Sequence, residues 1–128
     1  MKRALLKDGW TITHDPLVLP FGTTSVFVDL GAELPIGAEK AGRQIAVEVK
    51  SFLGLSRVTE MERMLGQYVL YRALLRRQDP ERVLYVAVPN RVFHTFIGLP
   101  DTLDLIHDEK VKLVLFEPGE EVVLSWIE

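Results

Sequence analysis

Apolar and polar residues alternate in three short stretches of the first half of the chain, a pattern that is typical of β-strands. The stretches are residues 10–14, 25–30 and 44–52. In the third stretch the odd positions from Ile45 to Val49 are apolar, whereas the even positions include Glu48 and Lys50. Glycine and proline in residues 31–37 predict an irregular connection between the second and third strands.

A short helix is predicted before the first strand, over residues 2–8, and a longer helix after the third strand. The longer helix has apolar residues every three or four positions, and Asp79-Pro80 ends it. Thr59 and Glu62 have the spacing of a capping box, in which the threonine begins the helix and the glutamate reaches back to it. We therefore expect a helix from Thr59 to about residue 78.

The second half of the chain predicts one further strand, helical turns and a hairpin. Residues 83–88 are apolar on both faces, as in a strand inside a sheet. Residues 90–108 are expected to be helical, with a break near Pro100. Residues 112–116 and 122–127 predict two strands that form a hairpin at a sheet edge.

The order of these elements predicts an α/β fold, with a mixed β-sheet flanked by helices. Its core is expected to run αβββαβ, followed by the C-terminal hairpin. A chain of 128 residues fits one domain spanning residues 1–128. The apolar fraction of 48% and the charged fraction of 26% are those of an ordinary folded protein, so disorder of the whole chain is not expected.

Composition excludes several classes of function. The chain has no cysteine, which excludes disulfides, a thiolate zinc site and a cysteine nucleophile. A net charge of −3 argues against strong DNA binding by the chain alone, but not against a small acidic metal site or a partner that brings the DNA. No apolar run is long enough to cross a bilayer or to form a signal-peptide core, so we expect a cytoplasmic protein without membrane contact.

Charged residues interrupt two of the predicted strands. Glu48 and Lys50 are two positions apart and therefore project from the same side of their strand, and Asp29 interrupts the preceding strand. If the two strands are neighbours, both carboxylates can hold one hard cation, Mg²⁺ or Mn²⁺, with Lys50 beside it. The alternative is that Glu48 and Lys50 lie on a solvated face, or that Lys50 neutralises Asp29.

Two polar residues of the long helix add to this site. Gln67 and Tyr71 are four positions apart, so they share one helix face. Gln67 can hydrogen-bond a metal-bound water or a nucleic-acid backbone, and Tyr71 can fix its orientation. The alternative is a surface glutamine beside a core tyrosine.

Other charged residues are weaker candidates. Glu33 and Glu39 lie near the site in sequence and are either spare ligands or solvated loop residues. Arg76, Arg77 and Arg82 form a small basic cluster that either contacts a phosphate or is the solvated end of the long helix.

The pattern of Asp29, Glu48-Val49-Lys50 and Gln67-x-x-x-Tyr71 resembles the PD-(D/E)xK nuclease superfamily, including its Gln-x-x-x-Tyr branch. More closely, residues 7–16, 28–33, 45–52 and 122–127 resemble the XisH family. The resemblance implies a restriction-endonuclease-like fold and the catalytic set Asp29, Glu48, Lys50 and Gln67.

XisH proteins are named as controlling factors for excision of the fdxN DNA element, which a separate recombinase performs, and a small partner, XisI, often accompanies them. The chain departs from the superfamily in one respect, because Asp8 is the single carboxylate of its first helix. Either the chain starts upstream of Met1 or the metal site is depleted.

Two functions are therefore expected from the sequence. The first is a Mg²⁺-dependent DNA endonuclease that acts in excision of a DNA element. The second is an inactive nuclease fold that regulates excision by docking on a recombinase or an XisI-like protein. A third expectation is a homodimer that pairs through the last hairpin.

Overall fold

The structure, a computed structural model, describes residues 1–36 and 40–128. Its helices and strands are, in chain order, α1 (Lys2–Lys7), β1 (Thr11–His14), β2 (Leu17–Phe21), β3 (Thr24–Val28), β4 (Leu30–Ile36), β5 (Lys40–Val49), α2 (Arg57–Gln78), β6 (Arg82–Pro89), α3 (Asn90–Val92), α4 (Pro100–Asp108), β7 (Leu113–Glu117) and β8 (Val122–Ile127). A π-helical turn, Phe93–Ile97, joins α3 to α4.

Six strands form one mixed sheet in the order β1-β4-β5-β6-β7-β8. Strands β5, β6 and β7 are parallel, and the other neighbours are antiparallel. Helix α2 connects the parallel strands β5 and β6, as a crossover helix must. The expected mixed sheet flanked by helices is thus confirmed, and the hairpin of β7 and β8 lies at an edge of the sheet as expected.

The side chains of each strand alternate between two apolar clusters, one on each face of the sheet. Ala46 packs on the face that α2 covers, whereas Ile45 and Val47 pack on the opposite face with Leu5 of α1. Glu48 therefore projects to the α2 face, because it is two positions from Ala46.

Strands β2 and β3, which lie between β1 and β4 along the chain, form a separate two-stranded sheet. Leu17, Leu19 and Val28 of this hairpin are buried in the α2 cluster, whereas Val18 and Phe27 are exposed on its other side. Gln78 of α2 donates a hydrogen bond to the main-chain oxygen of Pro20 at 2.7 Å. The hairpin thus covers one flank of α2.

The second predicted strand, residues 25–30, is wrong at its end. The chain bends at Asp29, so that β3 ends at Val28 and β4 begins at Leu30. The expected irregular connection is mostly β4 instead, because this segment pairs with β1 on one side and β5 on the other. Pairing on both sides outweighs the weak strand propensity of Gly31 and Pro35.

Two further predicted boundaries are wrong. Ser56, not Thr59, caps α2: its Oγ accepts a hydrogen bond from the Thr59 N–H at 3.2 Å, which places Thr59 inside the first turn. Strand β5 ends at Val49 rather than at residue 52. The predicted break near Pro100 is confirmed: the π-helical turn ends at Ile97 and Pro100 begins α4, where proline at the first position loses no helical hydrogen bond.

None of the helices in the described part of the chain is both long enough and apolar enough to cross a membrane.

Candidate carboxylate site

Asp29 and Glu48 meet where the ladder between β4 and β5 ends. Leu30 pairs with Val47, so the residue before β4 lies opposite the residue after Val47. The Asp29 N–H donates to Glu48 Oε1 at 3.2 Å, and Asp29 Oδ2 accepts from the Val49 N–H at 2.8 Å. The two carboxylates therefore come together, although Asp29 does so from a bend rather than from within a strand.

Lys50 completes the cluster. Its Nζ lies 3.6 Å from Glu48 Oε2, and the side chain is 19% exposed. Its main-chain N–H donates to the Ala87 carbonyl of β6 at 2.9 Å, which fixes the backbone at this point. The Glu-x-Lys spacing thus places both charges on one side of the sheet, and Lys50 pairs with Glu48 rather than with Asp29.

Glu48 is buried, whereas Asp29 is exposed. Burial, and after it the negative charge of Asp29, raises the pKa of Glu48 to about 7. The Asp29 N–H and the Lys50 ammonium act in the opposite direction but do not compensate. The site therefore holds more negative charge than its own residues neutralise, and a second cation would stabilise the charged form of Glu48.

Tyr71 of α2 is buried beside these acids. Burial raises the pKa of Tyr71, and the charges of Glu48 and Asp29 raise it further. Gln67 lies one turn earlier on the same helix face, and its Oε1 is buried without a hydrogen-bond partner among the described residues. Tyr71 therefore does not fix the orientation of Gln67 through a hydrogen bond to this oxygen, and within the described residues Gln67 keeps a free acceptor.

A cavity of about 400 Å³ opens at the carboxyl ends of the parallel strands. Its lining includes Ser51, which follows Lys50, together with Pro89 at the end of β6, Arg91 after it and Glu117 at the end of β7. Ligands of open α/β sheets commonly bind at this end. Sequence reasoning missed Ser51 and Arg91 in this role, because only the parallel order of β5, β6 and β7 places them at one edge.

The donor set fits a magnesium or manganese ion. No group of three or more histidine or acidic side chains converges in the described part of the chain. Mg²⁺, however, is commonly held by one or two carboxylates and takes its other ligands from water and from substrate phosphate. Asp29 and Glu48 supply two carboxylates of this kind at an accessible end of the sheet.

Glu33 and Asp8, two other carboxylates considered from the sequence, do not join the site. Glu33 pairs with Gln44 in the ladder, four positions along β4 from Asp29 and therefore about 13 Å away. Glu39 lies outside the described residues. Asp8 follows α1 and accepts a hydrogen bond from the Trp10 indole at 3.3 Å, and α1 packs on the face opposite to that of Glu48.

Arg82 is not part of a solvated helix end. It is 7% exposed, its Nε donates to Asp79 Oδ2 at 2.8 Å, and its Nη1 donates to the Ile45 carbonyl at 2.8 Å. Arg82 is therefore a structural cation that joins the start of β6 to β5. Arg76 and Arg77 are exposed, as expected for the end of a helix.

A protein-family model described as XisH protein matches residues 1–124. The chain belongs to the XisH family. It is 42% identical to an XisH family protein from Nostoc punctiforme whose crystal structure superposes with a TM-score of 0.87, covering 99% of this chain and 94% of that chain. The crystal structure of an fdxN element excision controlling factor protein from Anabaena variabilis is 41% identical, with a TM-score of 0.87 and the same coverage. No curated protein matches this XisH chain.

Proposed function

We propose that this XisH-family chain acts in controlling the excision of a DNA element, and that its carboxylate site hydrolyses a phosphodiester bond with Mg²⁺ or Mn²⁺. The name of the Anabaena variabilis relative supports the first part. The second part rests on one observation, the two hydrogen bonds that hold Asp29 against the Glu48–Val49 segment. The pattern of these residues resembles the PD-(D/E)xK nucleases, and this superfamily assignment is part of the proposal.

Asp29 and Glu48 are the residues that would hold the metal ion. When bound, the ion would lower the pKa of a water molecule and offset the charge of a phosphate group. Burial of Glu48 favours this role, because the low local polarity strengthens its attraction to a cation.

Lys50 and Gln67 would act on the other partners of the reaction. The Lys50 ammonium lies beside Glu48 and is partly exposed, so it can orient an attacking water or stabilise charge on a phosphate oxygen. Gln67 Oε1 is a buried acceptor that needs a donor, and a water molecule at the site would supply one. Arg91, in the cavity that continues from Ser51, would bind a neighbouring phosphate of the DNA.

Nicking of supercoiled and branched DNA in Mg²⁺ and in Mn²⁺ tests the enzymatic part. We expect wild-type protein to nick, and Asp29→Asn and Lys50→Ala to lose at least about a hundredfold in rate, as is typical when a positioned charged group is removed. Asp104→Asn removes an exposed acid of α4 and should leave the rate unchanged. Nicking by the Lys50→Ala protein at the wild-type rate would show a contaminating nuclease and refute the proposal.

A regulatory role without cleavage is the second candidate, and a specific surface favours it. Leu53 and Leu55 lie in the loop between β5 and α2, beside the carboxylate site. Leu53 is 80% exposed and Leu55 is fully exposed. Apolar side chains in such positions commonly mark a protein interface. Combined with the net charge of −3, this surface favours docking on an XisI-like protein or a recombinase that itself binds the DNA.

Co-purification with an XisI-like protein separates the two candidates. If the chain regulates by docking, Leu53→Ser combined with Leu55→Ser should abolish co-purification, whereas Asp29→Asn should not. Leu124→Ser, which changes an exposed leucine of β8, is the matched control. Absence of both Mg²⁺ and Mn²⁺ binding to wild-type protein would exclude hydrolysis and leave the docking role.

A further inference from the structure

A second cavity, of about 330 Å³, lies between the C-terminal half of α2 and the starts of β6 and β7. Its cationic lining residues are Arg72 and Arg76 of α2, Lys110 and Lys112 of the segment before β7, and the buried Arg82. Tyr68, Leu75 and Val83 contribute less polar surface. We call this cavity the basic pocket.

The basic pocket concentrates positive charge on a chain whose net charge is −3. The described residues that line it include no carboxylate. Arg82 is neutralised by Asp79, but within the described chain Arg72, Arg76, Lys110 and Lys112 have no acidic side chain at ion-pair distance. Four cations around one cavity repel each other unless an anion enters it.

Two contacts hold the Arg72 guanidinium in position, and one of its N–H groups has no acceptor among the described residues. Its guanidinium lies over the Tyr68 ring at 5.1 Å, and its Nη1 donates to the Glu109 carbonyl at 3.2 Å. Its Nε is buried and has no hydrogen-bond partner among the described residues. A buried N–H without an acceptor is unfavourable, and an anion in the pocket would supply an acceptor.

Lys110 occupies a backbone position where glycine is usual. Its φ is 55°, in the left-handed region. The hydrogen bonds from the Lys110 N–H to the His107 carbonyl and from the Val111 N–H to the Ile106 carbonyl form a Schellman motif, which places Lys110 just after α4. Lysine is less favourable than glycine in this conformation. The presence of lysine at this position is explained if its charge contributes to ligand binding in the basic pocket.

We propose that the basic pocket binds a phosphate group. A phosphate group offers several acceptor oxygens and up to two negative charges, which suits an arginine fork combined with lysine ammonium groups. The pocket is separate from the carboxylate site, because Tyr68 and Arg72 lie roughly 100° around α2 from Gln67 and Tyr71. The phosphate belongs either to a nucleic-acid backbone or to a free phosphorylated compound.

Calorimetric titration with inorganic phosphate, and separately with a short DNA duplex, tests the proposal. We expect wild-type protein to bind at least one of the two probes and Arg72→Gln combined with Lys112→Gln to weaken that binding about tenfold or more. Arg77→Gln, the matched control, removes an exposed arginine next to Arg76 that does not line the pocket, and it should change affinity less than about twofold.

Lys110→Gly separates a binding role from a structural one. Glycine fits the left-handed conformation, so this variant should melt at a higher temperature than wild type while it binds the probe more weakly. Binding of phosphate alone identifies a free phosphorylated ligand, and binding of the duplex alone identifies a nucleic-acid backbone.

The proposal is overturned if neither probe binds, if Lys110→Gly binds as tightly as wild type, or if Arg77→Gln weakens binding as much as the pocket variants. Asp104→Asn, which changes an exposed acid of α4 that does not line the basic pocket, should leave phosphate binding unchanged.

Discussion

The main-chain N–H of Asp29 donates a hydrogen bond to the side chain of Glu48. This bond joins an exposed acid, Asp29, to a buried acid, Glu48. The distance between the two carboxylates is therefore set by the end of the β4–β5 ladder rather than by flexible side chains. An ion held by both acids would meet a site that is already formed, which reduces the ordering cost of binding.

Replacing Glu48 by glutamine should stabilise the fold at alkaline pH. The pKa of Glu48 is about 7 in the folded chain and 4.5 in an unfolded one. The folded state therefore holds this proton more tightly, and the free energy of unfolding falls as pH rises from 4.5 through 7. Glutamine removes this loss, so urea denaturation in EDTA should show Glu48→Gln more stable by on the order of 2 kcal/mol at about pH 8.

The same comparison at about pH 4 should give nearly equal stabilities, because Glu48 is then protonated in both states. Glu62→Gln, which changes an exposed acid of α2, should show no such pH-dependent difference. A large destabilisation by Glu48→Gln at alkaline pH would mean that the ion pair with Lys50 outweighs the cost of burial.

Metal binding should depend on pH in the range where Glu48 titrates. A carboxylate must lose its proton to bind a cation, and the pKa of Glu48 is raised to about 7. Mn²⁺ affinity should therefore rise about tenfold per pH unit below 7 and become constant above about 8. Calorimetry at pH 6 in buffers of different ionisation enthalpy should detect close to one released proton.

Two matched variants accompany this measurement. Asp29→Asn should lower Mn²⁺ affinity at least about tenfold, whereas Asp104→Asn should have no effect. Affinity that stays constant from pH 6 to 8 would show that Glu48 is not a ligand.

The hydroxyl groups of two buried tyrosines of α2, Tyr68 and Tyr71, should contribute differently to the free energy of unfolding. The Tyr68 hydroxyl donates to the Leu84 carbonyl at 3.2 Å and accepts from the Lys112 N–H at 3.2 Å. Tyr68→Phe leaves a main-chain N–H and a carbonyl without this partner, so thermal or urea denaturation should show a loss of about 1–3 kcal/mol. Tyr71→Phe should cost less, because its hydroxyl makes no hydrogen bond within the described chain. Equal losses would contradict this ranking.

The cap of α2 gives a test of where the helix begins. Ser56 Oγ satisfies the Thr59 N–H, so Ser56→Ala should cost about 1 kcal/mol of unfolding free energy. Thr59→Ala should change stability by a few tenths of a kcal/mol at most, because position 59 is already helical. The reverse order of the two losses would restore Thr59 as the cap.

The charged positions of the site could be predicted from the sequence, because charges within an apolar strand are costly and two-residue spacing fixes their side of the sheet. The pairing of Lys50 with Glu48 rather than with Asp29 could not be predicted, because it depends on the residues at which β3 and β5 end. The assignments of metal, catalytic residues and partners stay predictions.

The strand next to the site could not be predicted. Residues 31–36 have glycine and proline where a strand pattern has none, and their strand structure comes from pairing with β1 and β5, which local sequence does not encode. The structural role of Arg82 could not be predicted for a similar reason. It depends on the Ile45 carbonyl, which lies far away along the chain.

The hairpin of β2 and β3 ends directly at Asp29, yet its tip is far from that residue. Leu17 and Val28 pair at its base and are buried against α2, whereas the turn at Gly22 has open space around it. A fluorescent dye or an affinity tag inserted at Gly22 should therefore leave the position of Asp29 unchanged. The same tolerance would let related chains lengthen this turn without rebuilding the chemistry at its base.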